Sequence, residues 1–326
     1  MLRTVMKPTI RKIEVKPYDP EWPKIFEEEA ALIRSALGDN CTAIHHVGST
    51  AVPGLAAKPR IDIIMAVKDP KATIPKLEAI GYEYRGEWNI PFKFGFRKRS
   101  NTEANLHVFA EGNPEIECNL VFRDYLRSHP AAVQAYAELK ASILEKKSSF
   151  EKINTYFTSY NLDKDDFIRN VLEKTGFNGI RMHHCVHDIE LEKAKFFRQK
   201  YFFGRHNIED PYLWTFNHPD HVHFVLYKGV DIVGYAQLIK WTEGRAAMRI
   251  IVIDEPFRHQ GLGAHFLSLC ELWLKSQGFR VLQLESSPEA LTFYQKHGYI
   301  EMPFNEPDPE LGHEENKIDT PLGKWL

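Results

Sequence analysis

Seven residues, Arg258-His259-Gln260-Gly261-Leu262-Gly263-Ala264, have the types and spacing to hold a phosphate group. They stand between a predicted strand at 248–253 and an amphipathic helix whose apolar positions are Phe266, Leu267, Cys270, Trp273 and Leu274. Glycine lets the backbone come close to a pyrophosphate. Amides at a helix start have no helical carbonyl to bond, and they carry the positive end of the helix dipole. A tight strand-to-helix turn needs the same glycines without any ligand, so this run alone leaves both readings open.

Two histidine clusters also carry ligand-type side chains. His183-His184-Cys185-x-His187 and His218-x-x-His221-x-His223 offer the borderline-soft donors that zinc accepts. Both fall on predicted strands or their approaches, where adjacent side chains point apart and cannot share one ion. Surface or cleft histidines and no metal site are therefore expected. In the first half, a small-residue loop, Gly48-Ser49-Thr50, follows one strand pattern, and Asp62 lies within the next. The same half holds Lys58, Arg60, Arg97, His107, Arg123 and Arg127, a basic set that suits phosphates or, equally, a salt-bridged surface.

These residues need a scaffold, and hydrophobic periodicity outlines one. Asp19-Pro20 is expected to open a helix that carries Ile25, Leu32, Ile33 and Leu37 and ends at Gly38. Strands are expected at 42–47 and 61–67, the second apolar enough for burial on both faces. Strand-like pieces follow at 92–97, 106–109 and 117–122, then helical patterns at 131–147 and 163–174. Residues 175–179, with two glycines, follow a helix and precede a fresh strand pattern at 180–186. The domain boundary is set there, giving 1–176 and 177–326. The second half reads as strand, helix (189–201), irregular stretch, strands (222–227, 232–238, 247–253), helix (263–277), strand (281–285) and helix (289–296). The tail, 305–326, is rich in Pro and acid and is expected to be irregular with a short last strand.

At 326 residues, with 43% hydrophobic and 26% charged side chains, the chain suits two globular domains, each with its own core. A formal net charge of -2 gives no whole-chain sign of nucleic-acid binding. No apolar run is long enough for a bilayer, and residues 1–12 lack the apolar segment of a secretory signal. Cys41, Cys118, Cys185 and Cys270 lie far apart and read as reduced thiols, so a cytoplasmic protein is expected.

A second run, Ala290-Leu291-Thr292-Phe293-Tyr294-Gln295-Lys296-His297-Gly298-Tyr299, follows the glycine-rich turn. Together the two resemble the GNAT acetyltransferase superfamily, whose motifs are Q/R-x-x-G-x-G/A and A-x-x-F/L-Y-x-x-x-G-F/Y. The resemblance covers residue 180 to the end. It implies a mixed sheet splayed open where 247–253 parts from 281–285, with acetyl-CoA lying in the wedge. Backbone groups of Ile251 and Ile253, with Val252 between them, would pair with the pantetheine as in strand addition. Amides from Arg258, His259, Gln260, Gly261, Leu262, Gly263 and Ala264 would hold the pyrophosphate. The implied chemistry is direct attack of a neutral amine on the thioester, with an oxyanion donor at a backbone N–H near Val252 or Ile253. Tyr294 matches the phenol that protonates the leaving thiolate; its other reading is an aromatic packed between helix and sheet. The sequence departs from the pattern twice. Ser287 stands where an asparagine is frequent, and it can still donate to the cofactor. Residues 245–249 lack the glutamate base of many relatives, so Glu285 on the next strand is the candidate base, with a water chain as the alternative.

The first half carries His46-Val47-Gly48-Ser49-Thr50-Ala51-Val52-Pro53-Gly54-Leu55-Ala56-Ala57-Lys58-Pro59-Arg60-Ile61-Asp62-Ile63, then Leu106-His107-Val108 and Phe122-Arg123-Asp124-Tyr125-Leu126-Arg127-Ser128-His129-Pro130. This is similar to the GrpB family over 13–174. The resemblance implies a nucleotidyltransferase-like fold in which Gly-Ser after a strand binds triphosphate. In active members Asp-x-Asp on a later strand holds Mg²⁺ for phosphoryl or nucleotidyl transfer. Gly48, Ser49, Lys58 and Asp62 fit a phosphate site. Ile64 stands where the second acid belongs and His45 where a glutamate is usual, so a phosphate-binding or scaffolding module is expected over a transferase. Glu117, on a neighbouring expected strand, is a substitute acid that nothing in the spacing demands.

The fold expected is mixed α/β (α+β): a nucleotidyltransferase-like α/β domain followed by a GNAT fold with a splayed mixed sheet. The function expected is acetyl-CoA-dependent N-acylation of a small-molecule or peptide amine, away from membranes. Nucleic acid is not indicated, although aminoacyl-tRNA stays open as an acceptor. Two other readings stand beside this one: a bifunctional nucleotidyl- and acetyltransferase, and a non-catalytic acetyl-CoA-binding protein. The missing Asp-x-Asp argues against the first, and the intact Tyr294 and pyrophosphate turn argue against the second.

Overall fold

The computed structural model describes residues 14–99, 102–146, 163–306 and 318–326. The expectations for 1–12, for residue 147 and for 307–317 of the tail lie outside the described residues. Contacts divide the chain into two compact units, Met1–Arg181 and Met182–Leu326.

The first unit is built on β1 (Cys41–Val47), β2 (Ile61–Val67), β3 (Glu83–Gly86), β4 (Phe94–Arg99) and β5 (Glu103–Ala110), in the order β1-β2-β5-β4-β3. Strands β2 and β5 pair in parallel, and the other neighbours pair antiparallel. In β2 every residue except Asp62 is buried, as its continuous apolar run requires of a strand covered on both faces. On one face, α1 (Trp22–Leu37) sets Phe26, Ala30, Ile33 and Leu37 against Ile61, Ile63, Met65, Leu106 and Val108. On the other, α3 (Pro114–Ser128) packs Ile116 and Leu120 on Val47, Ile64 and Phe109. Helices α4 (Pro130–Lys146) and α5 (Asp165–Lys174) join through Tyr136 and Phe167, which cover Val52, Leu55 and Leu126. The short α2 (Thr73–Glu78) and β3 lack the length to show a period.

Two expectations are corrected here. Residues 117–122 are helix, not strand: Asn113 Oδ1 accepts the Glu115 N–H at 3.0 Å and Pro114 sits in the first turn, so helix-start chemistry overrides the alternating pattern. Glu117 is thereby on α3. The first helix starts at Trp22, with Pro23 in its first turn; Asp19 instead accepts the Glu21 N–H at 2.9 Å in the preceding turn.

The second sheet has seven strands in the order β11-β12-β10-β9-β8-β7-β6. They are β6 (Ile180–His184), β7 (His221–Lys228), β8 (Asp231–Lys240), β9 (Arg245–Ile253), β10 (Val281–Ser286), β11 (Ile300–Glu301) and β12 (Thr320–Trp325). β7, β8 and β9 form an antiparallel meander, β9 and β10 run parallel, and β12 lies antiparallel to both β10 and β11. Helix α6 (Asp188–Arg198) widens into a π-helical turn at Gln199–Phe203 and packs Ala194, Phe197 and Tyr201 on Val225, Tyr227, Tyr235 and Ile250. The opposite face takes α7 (Leu262–Ser276), whose Trp273 lies edge-on to Phe224 at 5.0 Å. Helix α8 (Pro288–Lys296) follows β10. Among the described residues no helix is long and apolar enough to cross a membrane.

Candidate functional site

In the second unit the site begins where two strands part. β9 and β10 pair only through Arg245, Ala246 and Ala247 with Val281, Leu282 and Gln283. Beyond that point β9 stays on β8 as far as Ile253, while β10 stays on β12. The Asp254 N–H bonds the Val233 carbonyl on β8, so by alternation the backbone groups of Ile251 and Ile253 lie on the β10 side, where β10 no longer pairs with them; Ile251 is half-buried and Ile253 is buried. The register on β8 skips Arg249, which is the extra residue of a bulge between Met248 and Ile250.

Past Ile253 the chain turns under its own side chains. Asp254 accepts the Glu255 N–H at 3.2 Å, and Arg258 donates through Nε to the Ile253 carbonyl at 2.9 Å while its guanidinium lies over the Tyr201 ring. His259 and Gly261 both have positive φ, +60° and +76°, so the loop doubles back just before α7. His265 N–H bonds the Gly261 carbonyl at 3.0 Å, and the amides ahead of it face outward at the helix start. His259, Gln260 and Gly261 are exposed, and Gln260 Oε1 takes Lys228 Nζ at 2.8 Å. A side chain at Gly263 would grow toward Ile253 and Phe293, both 3.9 Å from its Cβ position. Arg258 thus shapes the loop, and the backbone of 259–264 is what it presents.

Tyr294, on α8, is buried with its ring edge-on to Phe293 and Tyr299. Burial, with the Cys270 thiol beside it, pushes its phenol up to about 12, so the O–H stays protonated at neutral pH. Ser287 caps α8 through its carbonyl, which accepts the Ala290 and Leu291 amides at 3.0 and 3.1 Å. Glu285 faces Arg249, with Oε2 3.6 Å from Nη1, and Arg249 also pairs with Glu306 and lies over the Phe304 ring. Nothing in sequence spacing marks Arg249, because only the bulge turns it toward the opening.

The π-helical turn is held by a buried polar network that the sequence reading did not anticipate. Arg198 donates to Asp210 at 2.5 and 3.0 Å, to Gln237 Oε1 at 2.5 Å and to the Tyr235 hydroxyl at 3.3 Å. Gln237 reaches His221 Nδ1 at 3.0 Å, and Tyr235 reaches His223 Nδ1 at 2.7 Å. His221 and His223 of the second cluster thus join a hydrogen-bonded core while His218 is exposed, and His184 of the first lies tilted to Phe224 and edge-on to Trp273. Burial pushes His221 down to about 4 and His223 to about 3.

In the first unit, Gly48 follows β1 with φ +71°, and a Cβ there would lie 2.6 Å from Asp62 Oδ2. Only glycine lets the loop lie flat on that carboxylate. Asp62 also accepts Asn105 Nδ2 at 2.8 Å, and burial raises its carboxyl. Ile64, two residues along the same face, is packed with Val47 and Phe109. Mg²⁺ takes hard oxygen ligands, and one carboxylate beside a packed isoleucine does not fit it. The arginines of the basic set serve the fold: Arg60 and Arg97 pair with Glu103, Arg123 donates to the His46 carbonyl and Arg127 to that of Ala51. Lysines replace them at the loop. Lys140, from α4, donates to Ser49 Oγ at 3.2 Å and to the Ala56 carbonyl at 2.5 Å. Lys58 and Lys164 act electrostatically on Asp62.

Comparison with known proteins agrees with both halves. Residues 12–174 match the family described as GrpB protein, and residues 189–299 match the Acetyltransferase (GNAT) family. The chain belongs to the GrpB family and carries a GNAT acetyltransferase domain. It is 42% identical over 143 residues to a UPF0157 protein of Halalkalibacterium halodurans, spanning 43% of this chain and 73% of that one. It is 36% identical over 167 residues to the UPF0157 protein YqkA of Bacillus subtilis, spanning 50% of this chain but only 47% of that relative's length. Among solved structures, conserved protein GrpB from Enterococcus faecalis is similar at 34% identity and TM-score 0.44, covering 50% of this chain and 96% of that one.

Proposed function

We propose that the second unit is an N-acyltransferase that takes acetyl-CoA as co-substrate and acylates a small-molecule or peptide amine, in the cytoplasm. The observation that supports this reading is the parting of β9 from β10 shortly before the exposed turn of His259–Gly261 at the start of α7. Strand-edge backbone groups at Ile251 and Ile253 suit a pantetheine amide chain, and the amides of the turn suit a pyrophosphate. Acetyl-CoA would supply an activated acyl carbon. The protein would orient it along β9, donate from a backbone N–H near Val252 or Ile253 to the developing oxyanion, and protonate the thiolate from Tyr294. Glu285 is engaged by Arg249, so the proton of the attacking amine is assigned to water rather than to that carboxylate. The first unit is read as a phosphate- or nucleotide-binding module, since Ile64 fills the place of a second metal-binding acid.

Calorimetry on the full chain should detect acetyl-CoA, and Gly261→Glu should abolish the binding by placing bulk and negative charge at the pyrophosphate position. A thiol-release screen against amino sugars, polyamines, peptide amines and aminoacyl-tRNA should then identify the acceptor class. A wild-type protein that neither binds acetyl-CoA nor releases thiol overturns the proposal. Binding without turnover on any amine would leave an acetyl-CoA-binding protein.

A further inference from the structure

We propose that the cavity at the outer edge of β1 binds a small organic carboxylate, with its carboxyl group on Arg127 and its apolar body beside Phe26 and Ile44. The cavity holds about 390 Å³, the size of a small-molecule site, and neither Gly48 nor Ser49 lines it. Its floor is β1, the end strand of the first sheet, and its walls come from α1 and α3. The Val67 carbonyl turns to the β5 side, so by alternation Ile63 does too, and its partner His46 faces away from β2. Arg123 Nη1 donates to that outward His46 carbonyl at 3.0 Å. The bond closes the edge of β1 to an added strand, which leaves space for a small molecule rather than a peptide.

The lining carries Lys24, Arg123 and Arg127 and, among the described residues, a single acid, Glu27. Its two imidazoles add no charge at neutral pH, since burial lowers His45 and pushes His46 down to about 4. Arg123 is fully engaged, with Nε and Nη2 on Asp124 at 2.7 and 3.0 Å besides the His46 bond. Arg127 uses only Nε, on the Ala51 carbonyl at 2.9 Å, and a carbonyl cancels no charge. Asp124, already held by Arg123, stands 3.8 Å from Arg127 Nη1. The terminal nitrogens of Arg127 therefore keep the planar edge that grips a carboxylate through two parallel bonds. Burial, then Arg123, lower the Arg127 guanidinium, and a bound carboxylate offsets the repulsion from Arg123. Glu27, on the α1 wall, repels a second negative group, so a monoanion fits where a phosphate ester or a polyphosphate does not. Phe26 and Ile44 give the apolar surface, and Phe26 is fixed by its stack on His46, whose Nε2 bonds Thr50 at 2.9 Å.

Saturation-transfer NMR on the full chain at pH 7.5, with sodium benzoate and sodium hexanoate as probes, tests this. Saturable binding is expected for at least one of them. Benzyl alcohol, which lacks the charge, and phenyl phosphate, which carries a second one, should bind about ten-fold more weakly or worse. Arg127→Gln should weaken the carboxylate by about ten-fold or more, and Lys24→Glu, at an exposed position, should weaken it too if the first variant folds poorly. Glu27→Gln should keep the carboxylate and admit phenyl phosphate. Saturating acetyl-CoA should displace neither probe, so the outcome here is separate from that of the acyltransferase reading. Binding of neither carboxylate, equal binding of benzyl alcohol, tighter binding of phenyl phosphate, displacement by acetyl-CoA, or full affinity in folded Arg127→Gln and Lys24→Glu proteins overturns the proposal.

Discussion

Arg249 occupies the bulge of β9, and its guanidinium crosses to Glu285 on β10 at the point where the two strands stop pairing. The ion pair sits where sequence reasoning places a general base. Glu285→Gln keeps the shape of the side chain, and Glu306 still holds Arg249 in that variant. Turnover should therefore fall by less than about ten-fold, against roughly 10²–10⁴ for a lost general base. Steady-state kinetics separate the two, and a loss in the larger range restores Glu285 to the mechanism.

Tyr294→Phe removes one O–H and keeps the ring on Phe293 and Tyr299. Acetyl-CoA affinity and melting temperature should stay near wild type, while turnover drops by roughly 10²–10⁴, the usual share of a positioned general acid. Because burial holds the phenol up at about 12, the wild-type rate should show no alkaline decline from this group below pH 10. Unchanged turnover in the variant removes Tyr294 from the chemistry.

The first unit should transfer no nucleotide. Labelled nucleoside triphosphates with Mg²⁺ and candidate acceptors should leave no labelled product, because Ile64 is 1% exposed and packed where a second carboxylate would stand. Ile64→Asp should lower the melting temperature without conferring transfer, since it buries an unpaired acid among apolar side chains. A product that disappears with Asp62→Asn would instead establish the bifunctional enzyme.

Acid should weaken both units. His46 is stacked on Phe26, and burial, then Arg127 and Arg123, push it down to about 4; His221 and His223 are lowered to about 4 and 3. Their folded values lie below the unfolded one, so between pH 6.5 and about 4 the unfolded chain binds protons that the folded chain refuses. Stability is full above that window and is lost as pH falls through it. Melting curves from pH 7 to 4.5 should show the decline. His46→Gln, which can keep a hydrogen bond to Thr50, should flatten its share; a pH-independent melting temperature contradicts the assignment.

Long elements with a clear period were legible in the sequence, and so were the sites that depend on local chain order. The strand–turn–helix around Gly261 and the loop at Gly48 are built from consecutive residues, so their chemistry is written in the chain. Lys140 was invisible because it meets Ser49 only after α4 packs, 91 residues apart in sequence. Arg249 was hidden by a bulge, a departure from the two-residue period that no composition signals. Residues 117–122 misled because an alternating pattern suits a strand and a half-covered helix alike, and only the Asn113-Pro114 start separates them.

The place of β12 between β10 and β11 has a consequence for how the protein is made. As the chain emerges, β10 and then β11 appear before the strand that joins them, so the second sheet gains an interior member last. Until it arrives, the outer edge of β10, with its Val281, Leu282 and Leu284, is an open template for any passing extended chain. Newborn molecules are thus most exposed to mispairing in that interval, while the first sheet, whose strands all lie before residue 111, already has every partner it needs.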